Sequence, residues 1–88
     1  MDEHLQARVL MLAAETIREK GLSRDGRYIF DQVSLLISHD GYTISLSDSQ
    51  VTLHLYFHNK IAVECKHQRD VETFYRKLKR IGASEVGD

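Results

Sequence analysis

The chain has 88 residues, which is the size of one domain and leaves no room for a second hydrophobic core. Apolar residues make up 42% of the sequence and charged residues 28%, which excludes the low-hydrophobicity, high-charge balance of a disordered chain. The formal net charge of −1 at pH 7 excludes attraction of the whole molecule to nucleic acid or anionic lipid, so such binding requires a local patch.

Cys65 is the only cysteine, so the chain has no intrachain disulfide and cannot supply several cysteine ligands to a structural zinc ion. We therefore expect a reducing compartment. The N-terminal segment has no basic region followed by a long apolar run, and its longest apolar stretch is residues 9–14. These features predict a cytoplasmic protein without a membrane-spanning segment.

Apolar residues at helical spacing predict a first helix over residues 3–20. Asp2 is suited to cap its N-terminus and Gly21 to follow its C-terminus. The apolar stripe consists of Leu5, Val9, Leu12, Ala13, Thr16 and Ile17.

A second helix is predicted before the C-terminus. Asp70 lies early and Arg80 late in it, which suits the helix dipole, and Gly82 is expected to end it. We expect an ordered core of about residues 3–82 and a frayed tail over residues 83–88 within a single domain, 1–88. The apolar stripe consists of Val71, Phe74, Tyr75, Leu78 and Ile81.

Between the helices the apolar period changes to two, which is typical of strands. Strands are predicted at residues 33–37, 42–47, 51–57 and 61–65, separated by turn residues. The sequence leaves open whether residues 27–33 form a strand or a short helix, and whether the sheet has four strands or three.

A register that keeps one face of the sheet apolar can be derived from this pattern. The predicted fold is α+β, an antiparallel meander in the order α-β-β-β-β-α with both helices on the apolar face. Strands 33–37 and 61–65 are the predicted edges. The predicted pairs are Ile37 with Tyr42, Leu35 with Ile44, Val33 with Leu46, Leu46 with Val51, Ile44 with Leu53, Tyr42 with Leu55, Leu55 with Val63, and Phe57 with Ile61.

The predicted register places Thr43, His54 and Glu64 in one row on the face away from the helices. A hydroxyl, an imidazole and a carboxylate form the composition of a nucleophile, base and orienting acid. However, outward sheet faces are routinely polar, and the sequence indicates no oxyanion hole or deep pocket. We therefore predict that the protein is not an enzyme and has no catalytic residues.

The chain has five histidines, a high number for its length, which raises the question whether they bind a metal ion. His54 and His58 share a face, but four residues of strand separate them by about 13 Å, too far for one ion. We predict neither a metal site nor a cofactor. Cys65 is expected to face inward as a small apolar side chain.

The outward face combines polar and apolar side chains, and edge strands could pair with another chain. This favours a non-catalytic interaction module whose partner is an unidentified protein or a second copy, as in a homodimer. The candidate interaction residues are Leu36, Thr43, His54, Tyr56, Ala62 and Glu64.

The alternative prediction is weak nucleic-acid binding by a basic face of the second helix. Arg69, Thr73, Arg76 and Arg80 follow one helical stripe opposite the apolar one and could contact phosphates. However, the solvated polar face of an amphipathic helix explains the same pattern. In addition, Tyr56 is the only aromatic residue predicted on the outward face of the sheet, whereas sheet-type RNA-binding proteins use several for base stacking.

Two short motifs, Asp40-Gly41-Tyr42-Thr43 and Phe57-His58-Asn59, lie on either side of the alternating run 51–57. With these motifs the sequence resembles a family of small gammaproteobacterial proteins classified as a domain of unknown function. The resemblance covers about residues 28–81. It implies a cytosolic protein with no assigned activity and no transferable site residues. A glycine is common in the family at the position of Gln32, which leaves open a bulge in the first strand.

Overall fold

The computed structural model describes residues 5–39, 41–56, 58 and 60–86. Along the chain, one helix precedes and one helix follows six strands. The strands form one antiparallel sheet in the order β1-β2-β3-β4-β5-β6. The predicted α+β fold with a helix at each end is confirmed, but the prediction of four or three strands is wrong. The elements are α1 (Ala7–Lys20), β1 (Leu22–Arg24), β2 (Arg27–Phe30), β3 (Val33–Ile37), β4 (Ile44–Ser47), β5 (Val51–Tyr56), β6 (Lys60–Cys65) and α2 (Gln68–Val86).

The two additional strands, β1 and β2, are joined by a tight hairpin at Asp25-Gly26. Both residues have positive φ, 52° and 82°, as a two-residue type I′ loop requires, and Asp-Gly is a strong signal for this turn. Asp31 and Gln32 repeat the conformation with φ of 52° and 66° between β2 and β3. Residues 27–33 therefore form a strand and a turn, and β3 is an inner strand. The edges of the sheet are β1 and β6.

The observed register differs from the predicted one by two residues in each of the last three hairpins. Because side chains alternate with a period of two, this displacement leaves every strand residue on its predicted face. The observed pairs include Leu35 with Leu46, Ile37 with Ile44, Ile44 with Leu55, Leu46 with Leu53, Leu53 with Val63, and Leu55 with Ile61.

Asp48 shows why the β4–β5 pairing is displaced. Its carboxylate accepts hydrogen bonds from the backbone N–H groups of Gln50, at 2.7 Å, and Val51, at 2.8 Å. Asp48 N also donates to Val51 O at 3.0 Å, so Asp48 occupies the first position of the turn. An aspartate is favoured at that position because its side chain can accept from the following N–H groups. The predicted pairing of Leu46 with Val51 had placed Asp48 in the centre of the turn.

The core lies between the two helices and one face of the sheet. Tyr75 and Gln6 link the helical layer, since Gln6 N donates to Tyr75 Oη at 2.9 Å. Tyr28 and Phe30 of the additional strand β2 also pack against the core, which explains why β2 is retained in the sheet. The side chains that are almost completely buried include Leu10, Ala13, Thr16, Ile17, Val33, Leu35, Leu46, Val51, Leu53, Phe74 and Leu78.

The helix ends differ from the predictions. Helix α1 begins at Ala7 after Gln6, which makes no side-chain capping bond, and the predicted cap Asp2 lies outside the described residues. Gly21 follows α1 as predicted but has φ of −79°, so it is not a left-handed C-terminal residue. A Cβ at Gly21 would lie 2.5 Å from Ile17 O and 2.7 Å from Ile29 O. The glycine is needed because backbone atoms approach it closely.

Helix α2 does not end at Gly82, as was predicted, but continues to Val86. Gly82 is buried, and a Cβ there would lie 3.0 Å from Leu12 Cβ of α1. Its role is to let the two helices approach each other. Residues 83–86 of the predicted frayed tail are helical, while residues 87–88 lie outside the described residues.

Candidate functional site

The face of the sheet opposite α1 and α2, here called the open face, displays most of the candidate residues. The register aligns its side chains in rows that cross all six strands. One row consists of Arg24, Arg27, Leu36, Ser45, His54 and Ala62, and the neighbouring row consists of Leu22, Ile29, Ser34, Ser47, Thr52 and Glu64.

Large apolar side chains interrupt this polar face. Leu22 is 76% exposed, Leu36 is 43% exposed and Tyr56 is 39% exposed, while Ile29 and Ala62 are partly buried. Leu36, Tyr56 and Ala62 were predicted on this face. Leu22 and Ile29 were missed because β1 and β2 were not predicted. The Asp25-Gly26 dipeptide was the available signal for them.

A hydrogen-bonded group of three side chains crosses β4, β5 and β6. Ser45 Oγ lies 2.8 Å from His54 Nδ1, and His54 Nε2 lies 3.2 Å from Glu64 Oε2. The structure therefore brings His54 and Glu64 together, as predicted. It replaces the predicted hydroxyl of Thr43 by that of Ser45, because the β4–β5 register is displaced by two residues.

Thr43 lies just outside β4 and belongs to the turn that precedes it. Its backbone N–H donates to Ser38 Oγ at 3.1 Å, and its carbonyl accepts from Ser38 N at 2.8 Å. The prediction that Thr43 lies in a row with His54 and Glu64 is therefore wrong.

The hydrogen bonds assign the tautomer of neutral His54. A carboxylate only accepts, so Nε2–H donates to Glu64, and Nδ1 then accepts from the Ser45 hydroxyl. The His54 side chain is 21% exposed, whereas that of Glu64 is 74% exposed. Because solvent screens so exposed a partner, the His54–Glu64 contact contributes about 0–1 kcal/mol and mainly orients the ring.

The same geometry places a serine hydroxyl against an imidazole, as a nucleophile and its base require. However, Ser45 lies inside the inner strand β4, between Leu36 of β3 and His54 of β5. In an inner strand the backbone N–H groups are bonded to the neighbouring strands, and none is free to stabilise an oxyanion. The arrangement is therefore suited to holding a surface of defined shape and polarity.

One tyrosine of β5 lies beside this group. The rings of Tyr56 and His54 stack, with centroids 6.0 Å apart and an interplanar angle of 19°. Tyr56 thus extends the ordered surface around His54. Tyr42, which the predicted register placed on the apolar face, precedes β4 and is 63% exposed.

The predicted basic stripe of α2 is exposed at Arg69, Arg76 and Arg80. An acidic residue interrupts it, since Glu72 Oε1 lies 3.7 Å from Arg76 Nη2. Thr73 of the same stripe donates its hydroxyl to Arg69 O at 3.4 Å. The stripe is therefore a mixed-charge surface, which weakens its field at a phosphate.

Cys65 pairs with the buried Val51 and so lies on its predicted side of the sheet, but it is exposed at the end of β6, so the prediction of a buried apolar role is wrong. Within the described residues, no group of three or more His, Cys, Asp or Glu side chains is arranged to hold a metal ion. In the same part of the chain, neither helix has the length and hydrophobicity that are needed to cross a bilayer.

Comparison with known proteins gives one match. A family described as "Protein of unknown function (DUF3081)" matches residues 5–86, a range that includes α1 as well as the sheet and α2. No curated protein and no solved structure matches the chain significantly. The chain therefore belongs to the DUF3081 family of proteins of unknown function.

Proposed function

We propose that the protein is a non-catalytic interaction module that self-associates through the open face of its sheet. One observation carries this proposal. Of the five exposed large apolar side chains among the described residues, three lie on the open face: Leu22, Leu36 and Tyr56. Apolar side chains concentrated on one surface and surrounded by polar ones are typical of a protein–protein contact.

The open face is better suited to self-association than the edge strands are. The edge strand β6 carries Lys60 and Glu64, and the edge strand β1 carries Arg24 and has only three residues. Short edge strands and charged side chains oppose pairing with another chain.

The distribution of charge also favours a second copy of the same chain. Arg24 and Arg27 lie at the β1–β2 end of the open face, and Glu64 lies at the β6 end. A two-fold axis parallel to the strands would place the arginines of one copy over the Glu64 end of the other. Lys60 is on the same strand as Glu64 but about 13 Å away along it, at about 3.3 Å per residue.

The size of the face predicts weak association. From β1 to β6 the sheet is about 24 Å wide, at about 4.8 Å between strands, and strands of about five residues are about 17 Å long. The resulting flat area is about 400 Å², without the additional surface of the protruding side chains. This area lies below the roughly 800 Å² per partner of a stable interface. We therefore expect a monomer–dimer equilibrium that depends on concentration.

Sedimentation velocity from low micromolar to submillimolar concentration tests this proposal. The expected result is a sedimentation coefficient that rises with concentration. Leu36→Lys and Tyr56→Lys should each reduce the dimer, because a buried lysine is costly to desolvate. Met11→Lys is the matched control, since Met11 is 47% exposed but lies on α1. A monomer at all concentrations, or equal loss in all three variants, would contradict the proposal.

Nucleic-acid binding through Arg69, Arg76 and Arg80 is the second candidate. The exposure of all three side chains on one helix supports it, while the acidic residue Glu72 within the stripe weakens it. Binding of this kind would be weak and would decrease steeply with salt.

The cytoplasmic location and the gammaproteobacterial origin remain predictions. The same holds for the two motifs, Asp40-Gly41-Tyr42-Thr43 and Phe57-His58-Asn59, as markers of the family.

A further inference from the structure

A groove of about 440 Å³ lies between α1 and α2. All of its lining residues belong to the two helices, so it is separate from the open face of the sheet. Its volume is within the range of about 300–1,000 Å³ that small-molecule sites occupy. The groove could therefore hold a ligand of limited size.

The interior of the groove is apolar. Its accessible apolar surface comes from Val9 and Leu12, which are partly buried, and from Ala83, which is exposed, while Leu78 and Gly82 are buried. Because Gly82 has no side chain, α2 approaches Leu12 closely at the groove. Such a surface favours an alkyl chain over a polar ligand, since burial of apolar area provides the free energy.

Two cationic side chains line the groove, one from each helix: Arg8 on α1 and Lys79 on α2. Lys79 Nζ lies 5.8 Å from the centroid of the Tyr75 ring, which holds the ammonium group beside the helix. Both helices therefore contribute a cation to the lining of the groove. Charge complementarity therefore favours an anionic headgroup.

The position of Arg8 adds an independent argument. It lies in the first turn of α1, which has no acidic residue, although the helix dipole favours acidic residues there. A cation at this end of a helix is unfavourable by itself. An anion bound beside Arg8 would interact favourably both with the guanidinium group and with the positive end of the dipole.

We propose that the groove between α1 and α2 binds a small amphiphilic carboxylate of the medium-chain fatty-acid class. The alkyl chain lies against Val9, Leu12 and Ala83, and the carboxylate lies near Arg8 and Lys79. This site is distinct from the proposed self-association surface, and either one can fail in experiment without the other.

Titration with decanoate, followed by backbone amide NMR shifts, tests the proposal. Shifts are expected at the groove residues of α1 and α2 and not on the open face of the sheet. Decyltrimethylammonium has an alkyl chain of the same length with the opposite charge, and it should bind at least about fivefold more weakly. Equal binding of the two probes, shifts confined to the sheet, or no shifts below the critical micelle concentration would overturn the proposal.

A pair of double variants tests the headgroup contacts. Arg8→Gln with Lys79→Gln should weaken decanoate binding by about fivefold or more, because two exposed ionic contacts are lost. Arg69→Gln with Arg76→Gln changes the net charge equally at a site outside the groove and should leave the affinity within about twofold. All four side chains are exposed, so both variants should fold. Equal weakening in the two variants would overturn the assignment of Arg8 and Lys79.

Discussion

Ser45 Oγ lies 2.8 Å from His54 Nδ1 across the β4–β5 pair, and the two residues are direct cross-strand partners. The hydroxyl donates to the ring because the other ring nitrogen, Nε2, donates to Glu64. Neutral His54 is therefore held as the Nε2–H tautomer on the open face, in the inner strand β5.

The first prediction concerns this hydrogen bond. Ser45→Ala should shift the ¹⁵N resonance of His54 Nδ1 at a pH where the ring is neutral, because that nitrogen loses its donor. The expected loss of unfolding free energy is about 1 kcal/mol. Thr43→Ala is the matched control, since Thr43 lies outside β4 and should leave the ring nitrogen unchanged. The opposite pattern would restore the register predicted from the sequence.

The second prediction concerns the core. Leu53 is fully buried between Leu46 and Val63 of the neighbouring strands. Leu53→Ala should reduce the free energy of unfolding by about 2–5 kcal/mol, as is typical when a buried leucine is removed. Thr52→Ala, one residue away on the open face, should cost about 0.5 kcal/mol. Chemical denaturation measures both, and similar costs would contradict a sheet that is covered on one face.

The third prediction concerns the turn between β2 and β3. Gln32 has φ of 66°, a left-handed conformation whose steric cost for a non-glycine residue is about 1–2 kcal/mol. Glycine has no such steric cost, and the conformational entropy that it loses on folding costs less than this. Gln32→Gly should therefore stabilise the protein by about 0.5–1 kcal/mol in thermal or chemical denaturation. Gln50→Gly, in a turn without positive φ, should destabilise it. Destabilisation by both substitutions would contradict the left-handed turn at Gln32.

The fourth prediction concerns the end of α1. Gly21→Ala should destabilise the protein by about 2–3 kcal/mol, because the new Cβ would clash with the carbonyl oxygens of Ile17 and Ile29. Gly21→Asn should be at least as harmful, although asparagine tolerates left-handed backbone well. Thermal unfolding of both variants distinguishes the two roles of this glycine. A clearly milder effect of asparagine would indicate a left-handed C-terminal residue instead of a close contact.

The fifth prediction concerns the second candidate function. In gel-shift assays at low salt, Glu72→Gln should strengthen any binding of RNA or DNA, because it removes the acidic group beside Arg76. Replacing Arg69, Arg76 and Arg80 by glutamine should abolish that binding. If the wild-type protein and Glu72→Gln both leave the mobility of all tested nucleic acids unchanged, the nucleic-acid candidate is wrong.

Hydrophobic periodicity identified two helices and a one-sided sheet, but it could not identify the pairing. An even displacement between strands keeps every apolar side chain on the same face, so the pattern is equally compatible with several registers. The choice between them depended on turn geometry, such as the hydrogen bonds of Asp48, and on packing of the whole sheet against the helices.

The candidate site was affected in the same way. His54 and Glu64 were identified because their strands and faces were predicted correctly. The serine that bonds to His54 was not, because its identity depends on a two-residue difference in register. Leu22 and Ile29 were missed together with β1 and β2, although Asp25-Gly26 was a local signal for that hairpin.

The sequence by itself determined the class of the fold, the buried face of each strand from residue 33 onward and the positions of the two helices, because these follow from the local period of apolar residues. Only the tertiary structure decided which strands pair at which register, why Gly21 and Gly82 are glycines, and where α2 ends. Close approach of Gly21 to Ile29 of β2 and of Gly82 to Leu12 of α1 is in each case a contact between different elements of the fold. Such contacts leave no trace in local periodicity, and they exist only once the helices and the sheet have packed together.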